Sequence, residues 1–265
     1  MASFDLTDRV ALVTGGSQGL GKAVCLALAR AGADVALVAR RPETVTVGRS
    51  RPHEEVDPVV REVQQLGRRA LGITADVRDE DQVHDTVVQT MNELGRIDIL
   101  VNVVGGSWGE TFRAGPLLEL TPHDVMEAYR LNVLTMFMCS SAVAPIMKKQ
   151  GKGSIVNIAS VAGRGPSPGS AAYGAAKAGV INMSMTMAAE WAPEIRVNAI
   201  AIGGIDTPHR PRWEGMQQGT ANDRAALGRL GTPEEHAGTV VWLASDYGGY
   251  ITGVVIDAHG GRLTN

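Results

Sequence analysis

The chain has 265 residues, a formal net charge of −3, and 44% hydrophobic against 20% charged residues. This ordinary globular balance excludes a disordered chain, and the length fits one α/β domain spanning 1–265. The slight acidity gives no general attraction for phosphate backbones or anionic membranes, so no nucleic-acid or membrane partner is expected and any anion site must be local.

Asp5 and Asp8 stand where an export signal needs a basic start, and the apolar runs read as broken before the roughly 18 residues of a membrane helix. A cytoplasmic protein is the expectation. Cys25 and Cys139 lie in apolar helical patterns without metal-ligand spacing, so both read as buried reduced thiols and no metal is expected.

Short β-branched or apolar runs alternate with helical patterns throughout, the signature of a parallel sheet with crossover helices. A strand is predicted over 9–14, an Ala/Leu-rich helix over 19–31 closed by Gly32, and a second strand over 34–39. Helices follow over 54–66 and 80–94, with strands over 70–75 and 97–104. The second half reads as helix 122–149, strand 154–159, Gly/Ala-rich helix 171–191, strand 196–201, helix 233–244 and strand 253–257. Seven such strands fit a doubly wound sheet whose ligand crevice lies at their carboxyl ends. Two stretches break the rhythm: 41–58, rich in Arg, Pro and Thr, and 205–227, which follows the sixth strand and is placed to act as a lid.

Between the first strand and first helix lies Thr14-Gly15-Gly16-Ser17-Gln18-Gly19-Leu20-Gly21. Here backbone amides and a helix N-terminus can hold a pyrophosphate. Gly15 permits the tight turn, Gly19 removes a side chain where backbone meets phosphate, and Gly21 lets the helix approach the sheet. A ligand-free glycine turn is the bland alternative.

Later, Tyr173-Gly174-Ala175-Ala176-Lys177 places a phenol and an ammonium at i and i+4, on one helix face. A free tyrosine titrates near pH ~10, and a neighbouring cation favours its phenolate, which would bring the group toward working pH. Ser160 follows a predicted strand thirteen residues before Tyr173. Its hydroxyl can hold a carbonyl oxygen, or it can simply cap the next turn.

With these motifs in this order the chain resembles the short-chain dehydrogenase/reductase family over nearly its whole length, from Leu6 to Gly261. The resemblance implies a Rossmann-type seven-stranded sheet in the order 3-2-1-4-5-6-7. It also implies a cofactor half over about 1–105 and a catalytic and substrate half over about 106–265. It implies an oxidoreductase that transfers hydride between a nicotinamide dinucleotide and a ketone or secondary alcohol, including reductases of 3-oxoacyl thioesters. Tyr173 would be general acid and base, Lys177 would lower its pKa and grip the nicotinamide ribose, Ser160 would orient substrate, and Asn132 would position a water.

The same resemblance assigns Gly15, Ser17, Gln18, Gly19, Leu20 and Gly21 to the cofactor phosphates, and Asp76 and Val77 to the adenine. A helix cap is the other reading of Asp76. Asn102 and Gly105 keep the ends of a segment, Asn102-Val103-Val104-Gly105, in which Val104 replaces the usual alanine. Gly203, Ile205 and Thr207 match the segment under the nicotinamide carboxamide, with Ile202 in place of a proline. An acidic residue ending the second strand selects NAD in the family, whereas an arginine just after it favours the 2′-phosphate of NADP. Here Ala39-Arg40-Arg41 points to NADP(H), with NAD(H) as the alternative and a solvated charge cluster as the bland reading.

Ser107 and Trp108 after the fourth strand, and Arg210 and Trp213 with His209 and Arg212 in the lid, are the substrate candidates. Against the lid residues stands an ordinary solvated loop. Small residues along the helix of Tyr173 permit close packing, and the family resemblance implies a homotetramer or dimer. A non-catalytic dinucleotide sensor would need the glycine turn alone, and a structural interaction protein neither motif set.

Overall fold

In the computed structural model, which describes residues 4–40, 56–107, 112–207 and 225–261, seven parallel strands form one sheet among those residues. In chain order these are β1 (Val10–Thr14), α1 (Gly19–Arg30), β2 (Asp34–Ala39), α2 (Asp57–Gln65), β3 (Ala70–Thr74), α3 (Glu80–Leu94) and β4 (Ile99–Asn102). Then come α4 (Pro122–Tyr129), α5 (Thr135–Gln150), β5 (Gly153–Ser160), α6 (Ala171–Trp191), β6 (Ile195–Ile202), α7 (Pro233–Ala244) and β7 (Val255–Ala258). The sheet order is β3-β2-β1-β4-β5-β6-β7, as expected.

β1, β2, β4 and β5 are buried along their whole length, which is why they read as unbroken apolar runs and not as alternating ones. One sheet face packs Val83 and Val87 of α3, Met136 and Val143 of α5, and Val180 of α6. The other packs Val24 and Leu28 of α1, Val59 and Val63 of α2, and Val240 and Leu243 of α7. The chain winds outward from β1 to β3, then restarts at β4 beside β1 and winds the other way. At that reversal the loops after β1 and β4 diverge to opposite faces and leave a crevice.

Several boundaries differ from the periodicity. The predicted helix 122–149 is two helices joined by a π-helical turn, Arg130–Leu134. The three segments follow one another without a break, so the apolar spacing reads as one helix. β4 is shorter than 97–104, because Asp98 spends its carboxylate on the Val10 amide (2.9 Å) and Val103 donates to the Thr14 hydroxyl (3.1 Å). The expectation about membrane helices needs correction too. The continuous helical run Pro122–Gln150 is long and apolar enough to span a bilayer by composition, with mean hydropathy 1.3, though half of that window is buried in the fold. Its apolar residues Val133, Met136, Cys139, Val143 and Met147 are core.

Cys25 and Cys139 are both buried and unpaired, as expected, and burial pushes the Cys139 thiol up to about 12. Among the described residues no group of three or more acidic, His or Cys side chains could hold a metal. Of the predicted segments, 41–55 and most of the presumed lid lie outside the described residues, and so do Arg41, Trp108, Arg210 and Trp213.

Candidate active site

The turn after β1 has no room for side chains where the sequence places glycines. A Cβ on Gly21 would stand 1.9 Å from the Gly15 carbonyl oxygen, so α1 can begin this close to β1 only with glycine there. Gly15 and Gly19 take positive φ angles of 71° and 51°. Gly15 and Gly16 both donate their amides to Val38 of β2 (2.8 and 3.2 Å), which ties the turn to the sheet. Gln18 occupies the N-cap of α1 without capping it, and its side-chain oxygen is buried with no partner. Ser17 and Leu20 are buried. A cradle of open amides at a helix start, with an unspent polar atom beside it, fits a dinucleotide pyrophosphate.

The other wall of the crevice converges on the same turn. Thr207, in the loop after β6, faces Gly19: a Cβ on that glycine would lie 3.8 Å from the threonine methyl. Ile205 is held in place by a parallel bridge to Gly231. Gly203 is a position of close backbone approach: a Cβ there would stand 2.9 Å from the Cα of His259, just past β7.

One residue expected in the cofactor site, Asn102, faces inward. The Asn102 amide donates to Ser140 of α5 (3.0 Å) and to Asn157 of β5 (2.8 Å), and Asn157 donates in turn to Ser184 of α6 (2.9 Å). All four side chains are buried, so Asn102 braces the sheet beneath the crevice. The Val77 side chain is buried in the core; the contact expected of this residue is through its backbone amide. Asp76 does not cap α3: Asp79 does, accepting from the amides of Asp81 and Gln82. The Asp76 carboxylate is instead gripped by Arg78, with Arg40 3.9 Å away.

Tyr173, Lys177, Ser160 and Asn132 come together at the carboxyl ends of β4 and β5. Gly105 marks the meeting point, because a Cβ on it would lie 2.6 Å from the Asn132 side-chain oxygen and 2.9 Å from Lys177 Nζ. Asn132 sits in the π turn and clasps Gly106 from both sides, accepting from its amide and donating to its carbonyl, each at 3.0 Å. Its amide also donates to the Ala128 carbonyl (2.9 Å), so the side chain is occupied by backbone. Lys177 is buried and donates to the Ile158 carbonyl of β5 (2.8 Å). Ser160 caps the turn after β5, accepting from the Ala162 amide (3.2 Å), and its hydroxyl stands near the Tyr173 phenol.

The electrostatics correct one expectation. The Tyr173 phenol is pushed above its usual value of 10.0 by burial, only partly offset by the bond to Ser160. Lys177 Nζ lies 5.8 Å from the centre of the tyrosine ring and donates to the Ile158 carbonyl. Burial brings the Lys177 ammonium itself down to about 8. Helical spacing put the two groups on one face but could not reveal how dry that face is.

Sequence reasoning passed over Arg78 and Asn157. A polar residue in the middle of a buried strand was the available signal for Asn157. Ser107, next after the clasped Gly106, is partly buried.

Comparison with known proteins agrees with this geometry. The family model for short chain dehydrogenases matches residues 9–218. A 3-oxoacyl-[acyl-carrier-protein] reductase of Thermotoga maritima is 38% identical, over 97% of this chain and 99% of that one. A cyclohexanol dehydrogenase of a Rhodococcus strain is also 38% identical, over 98% and 97%. Among solved structures, a 7α-hydroxysteroid dehydrogenase complexed with NADH and 7-oxo glycochenodeoxycholic acid superposes with a TM-score of 0.88 at 28% identity, covering 100% of this chain and 99% of that one. A dehydrogenase/reductase from Sinorhizobium meliloti gives 0.85 at 32% identity, over 98% and 96%. The chain therefore belongs to the short-chain dehydrogenase/reductase family and is an oxidoreductase of alcohol and carbonyl substrates that uses a nicotinamide dinucleotide.

Proposed function

We propose that this enzyme is a single-domain carbonyl reductase that prefers NADP(H) and works on a ketone or its secondary alcohol, with Tyr173, Ser160, Lys177 and Asn132 as its active-site residues. The observation that carries this reading is the meeting of Asn132 with the buried Lys177, on the helix that carries Tyr173, against Gly105 at the carboxyl ends of β4 and β5.

When bound, the dinucleotide supplies or accepts the hydride, and the protein contributes alignment and the proton. A phenol raised by burial stays protonated at neutral pH, so Tyr173 is set to donate its proton to a developing alkoxide in the reductive direction. The Ser160 hydroxyl, held by the Ala162 amide, is placed to donate to the same oxygen. Lys177 supplies positive charge beneath the phenol, while Asn132 fixes the loop of Gly105 and Gly106 against it. Arg40, at the end of β2, supports the preference for NADP(H).

An NADPH-consumption screen over ketones, with the reverse screen over alcohols, identifies the substrate; 3-oxoacyl thioesters and cyclic ketones come first, given the activities named for the relatives. Tyr173→Phe lowers turnover by about 100-fold or more, the scale of lost general acid catalysis, and leaves dinucleotide affinity nearly unchanged. A nearly fully active Tyr173→Phe enzyme refutes the role.

A further inference from the structure

As the crossover helix between the parallel strands β6 and β7, α7 starts at the carboxyl ends of the sheet, on the crevice side. Its first turn is fixed: Thr232 and Glu235 form a reciprocal capping box, and Arg229 donates to both Glu235 oxygens (2.8 and 2.6 Å). The next residue is His236, whose side chain is buried. Its ring edge points at Gly231, where a Cβ would stand 2.7 Å from Nε2 and 3.4 Å from Cε1. No positive φ requires glycine at 231; the imidazole does.

Gly231 in turn holds the segment after β6. Its amide donates to the Gly204 carbonyl (3.1 Å) and its carbonyl accepts from the Asp206 amide (2.9 Å), so the two bonds bracket Ile205. Next after Asp206 comes Thr207, which faces Gly19 of the turn after β1. A line of contacts therefore runs from α7 through one bare glycine to the crevice.

Among the described residues, His236 Nε2 has no hydrogen-bond partner. An apolar side chain could fill this volume without stranding a polar atom, so stability does not explain the imidazole. Burial holds the ring's pKa below its ordinary value, and the charge of Glu235 on the same helix opposes this. Asp206 on the facing segment, Arg229 before α7 and Lys22 on α1 are charged groups of the elements packed around it, and none of them adds to the shift. The ring is neutral at pH 7, and a proton would put charge into a dry corner.

We propose that His236 is a positioning residue for dinucleotide binding: its neutral imidazole, wedged against Gly231, braces segment 205–207 against the glycine turn, and acid undoes the brace at the nicotinamide end. The proposal rests on the reading that this segment lies under the nicotinamide carboxamide. The sign follows from linkage: a released ring takes up its proton near the ordinary 6.5 and the braced ring only at lower pH, so acid favours release.

The test uses the full chain without substrate. Isothermal titration compares NADP⁺ with adenosine diphosphoribose 2′-phosphate, the same molecule lacking nicotinamide, and the ratio of the two affinities isolates the nicotinamide end. Both carry the 2′-phosphate, so its own titration cancels. If NADP⁺ binds too weakly to measure, NAD⁺ and adenosine diphosphoribose form the pair. Melting curves certify each variant as folded. At about pH 7.5 His236→Ala lowers the ratio by about 5- to 10-fold, and His236→Gln, which reaches the same spot without titrating, restores it to within about twofold of wild type. Between about pH 7.5 and about 5.5 the wild-type ratio falls by about threefold or more, whereas that of His236→Gln changes less than about twofold. Equal weakening of both ligands by His236→Ala, no rescue by His236→Gln, or a His236→Gln chain as pH-dependent as wild type overturns the proposal and leaves His236 a packing residue. If His236→Ala does not fold, the pH comparison with His236→Gln decides alone. Thr207→Val separates the two levels of inference. A ratio unchanged by it sinks the nicotinamide reading of the segment and this proposal with it; a loss there, with none in His236→Ala, sinks the His236 role alone.

Discussion

Lys177 is a cation buried against the carboxyl end of β5, held by one carbonyl. Its ammonium falls from 10.5 to about 8 because burial penalises the charged form. The unfolded chain therefore holds a proton that the folded chain has lost between those values, and stability rises with pH across that window. Below about pH 8 both states are charged and the full penalty remains. The displacement corresponds to about 3 kcal/mol. Urea melts of wild type and Lys177→Met from pH 7 to 10.5 test it: the wild type gains on the variant by up to about 3 kcal/mol as pH rises. A gap that stays constant with pH shows that the lysine is not desolvated as described. The sequence made the pairing of Tyr173 with Lys177 visible. It left the direction of their titration hidden, since desolvation depends on neighbours such as Ile158 and Gly105 from other elements.

Four elements are stitched together under the active site by Asn102, Ser140, Asn157 and Ser184, on β4, α5, β5 and α6 respectively. A buried polar network of this kind holds element positions because each missing partner strands a desolvated group. Asn157→Leu leaves the Asn102 and Ser184 side chains short of partners and costs about 2 to 4 kcal/mol of stability, measurable as a lower urea midpoint. An unchanged midpoint shows the network to be incidental. The π turn belongs to this scale as well: it carries Asn132, and Asn132 ties α4 and the loop after β4 together. Apolar spacing over 122–149 indicated one helix, because hydrophobic periodicity records which residues face the core and not which carbonyl each amide meets.

Over the whole molecule, an apolar surface runs from the short 3₁₀ turn at Leu117–Glu119 along α4 to α5. Leu117, Leu118 and Met126 are 68%, 100% and 66% exposed, and Val125, Tyr129 and Phe137 are also exposed. Exposed apolar side chains this numerous on neighbouring segments mark an association surface more often than scattered single ones do. It supports the proposal of a self-associated enzyme, a homotetramer or dimer. Light scattering at micromolar concentration then gives a multiple of the 27.9 kDa chain mass. The double change Met126→Glu and Phe137→Glu lowers that multiple, since buried unpaired carboxylates oppose association. A monomer mass for the wild type contradicts the assembly.

The sequence by itself determined the alternation of strands and helices, the glycine turn, and the presence of Ser160, Tyr173 and Lys177 on the elements that carry them. Local pattern suffices there, because side-chain period and turn chemistry are short-range properties. Tertiary structure alone decided that Asn102 faces inward, that Arg78 grips Asp76, and that burial raises Tyr173 while lowering Lys177. These outcomes depend on which groups from distant parts of the chain share one dry, crowded volume, and hydrogen-bond partners and desolvation are fixed only when that volume closes.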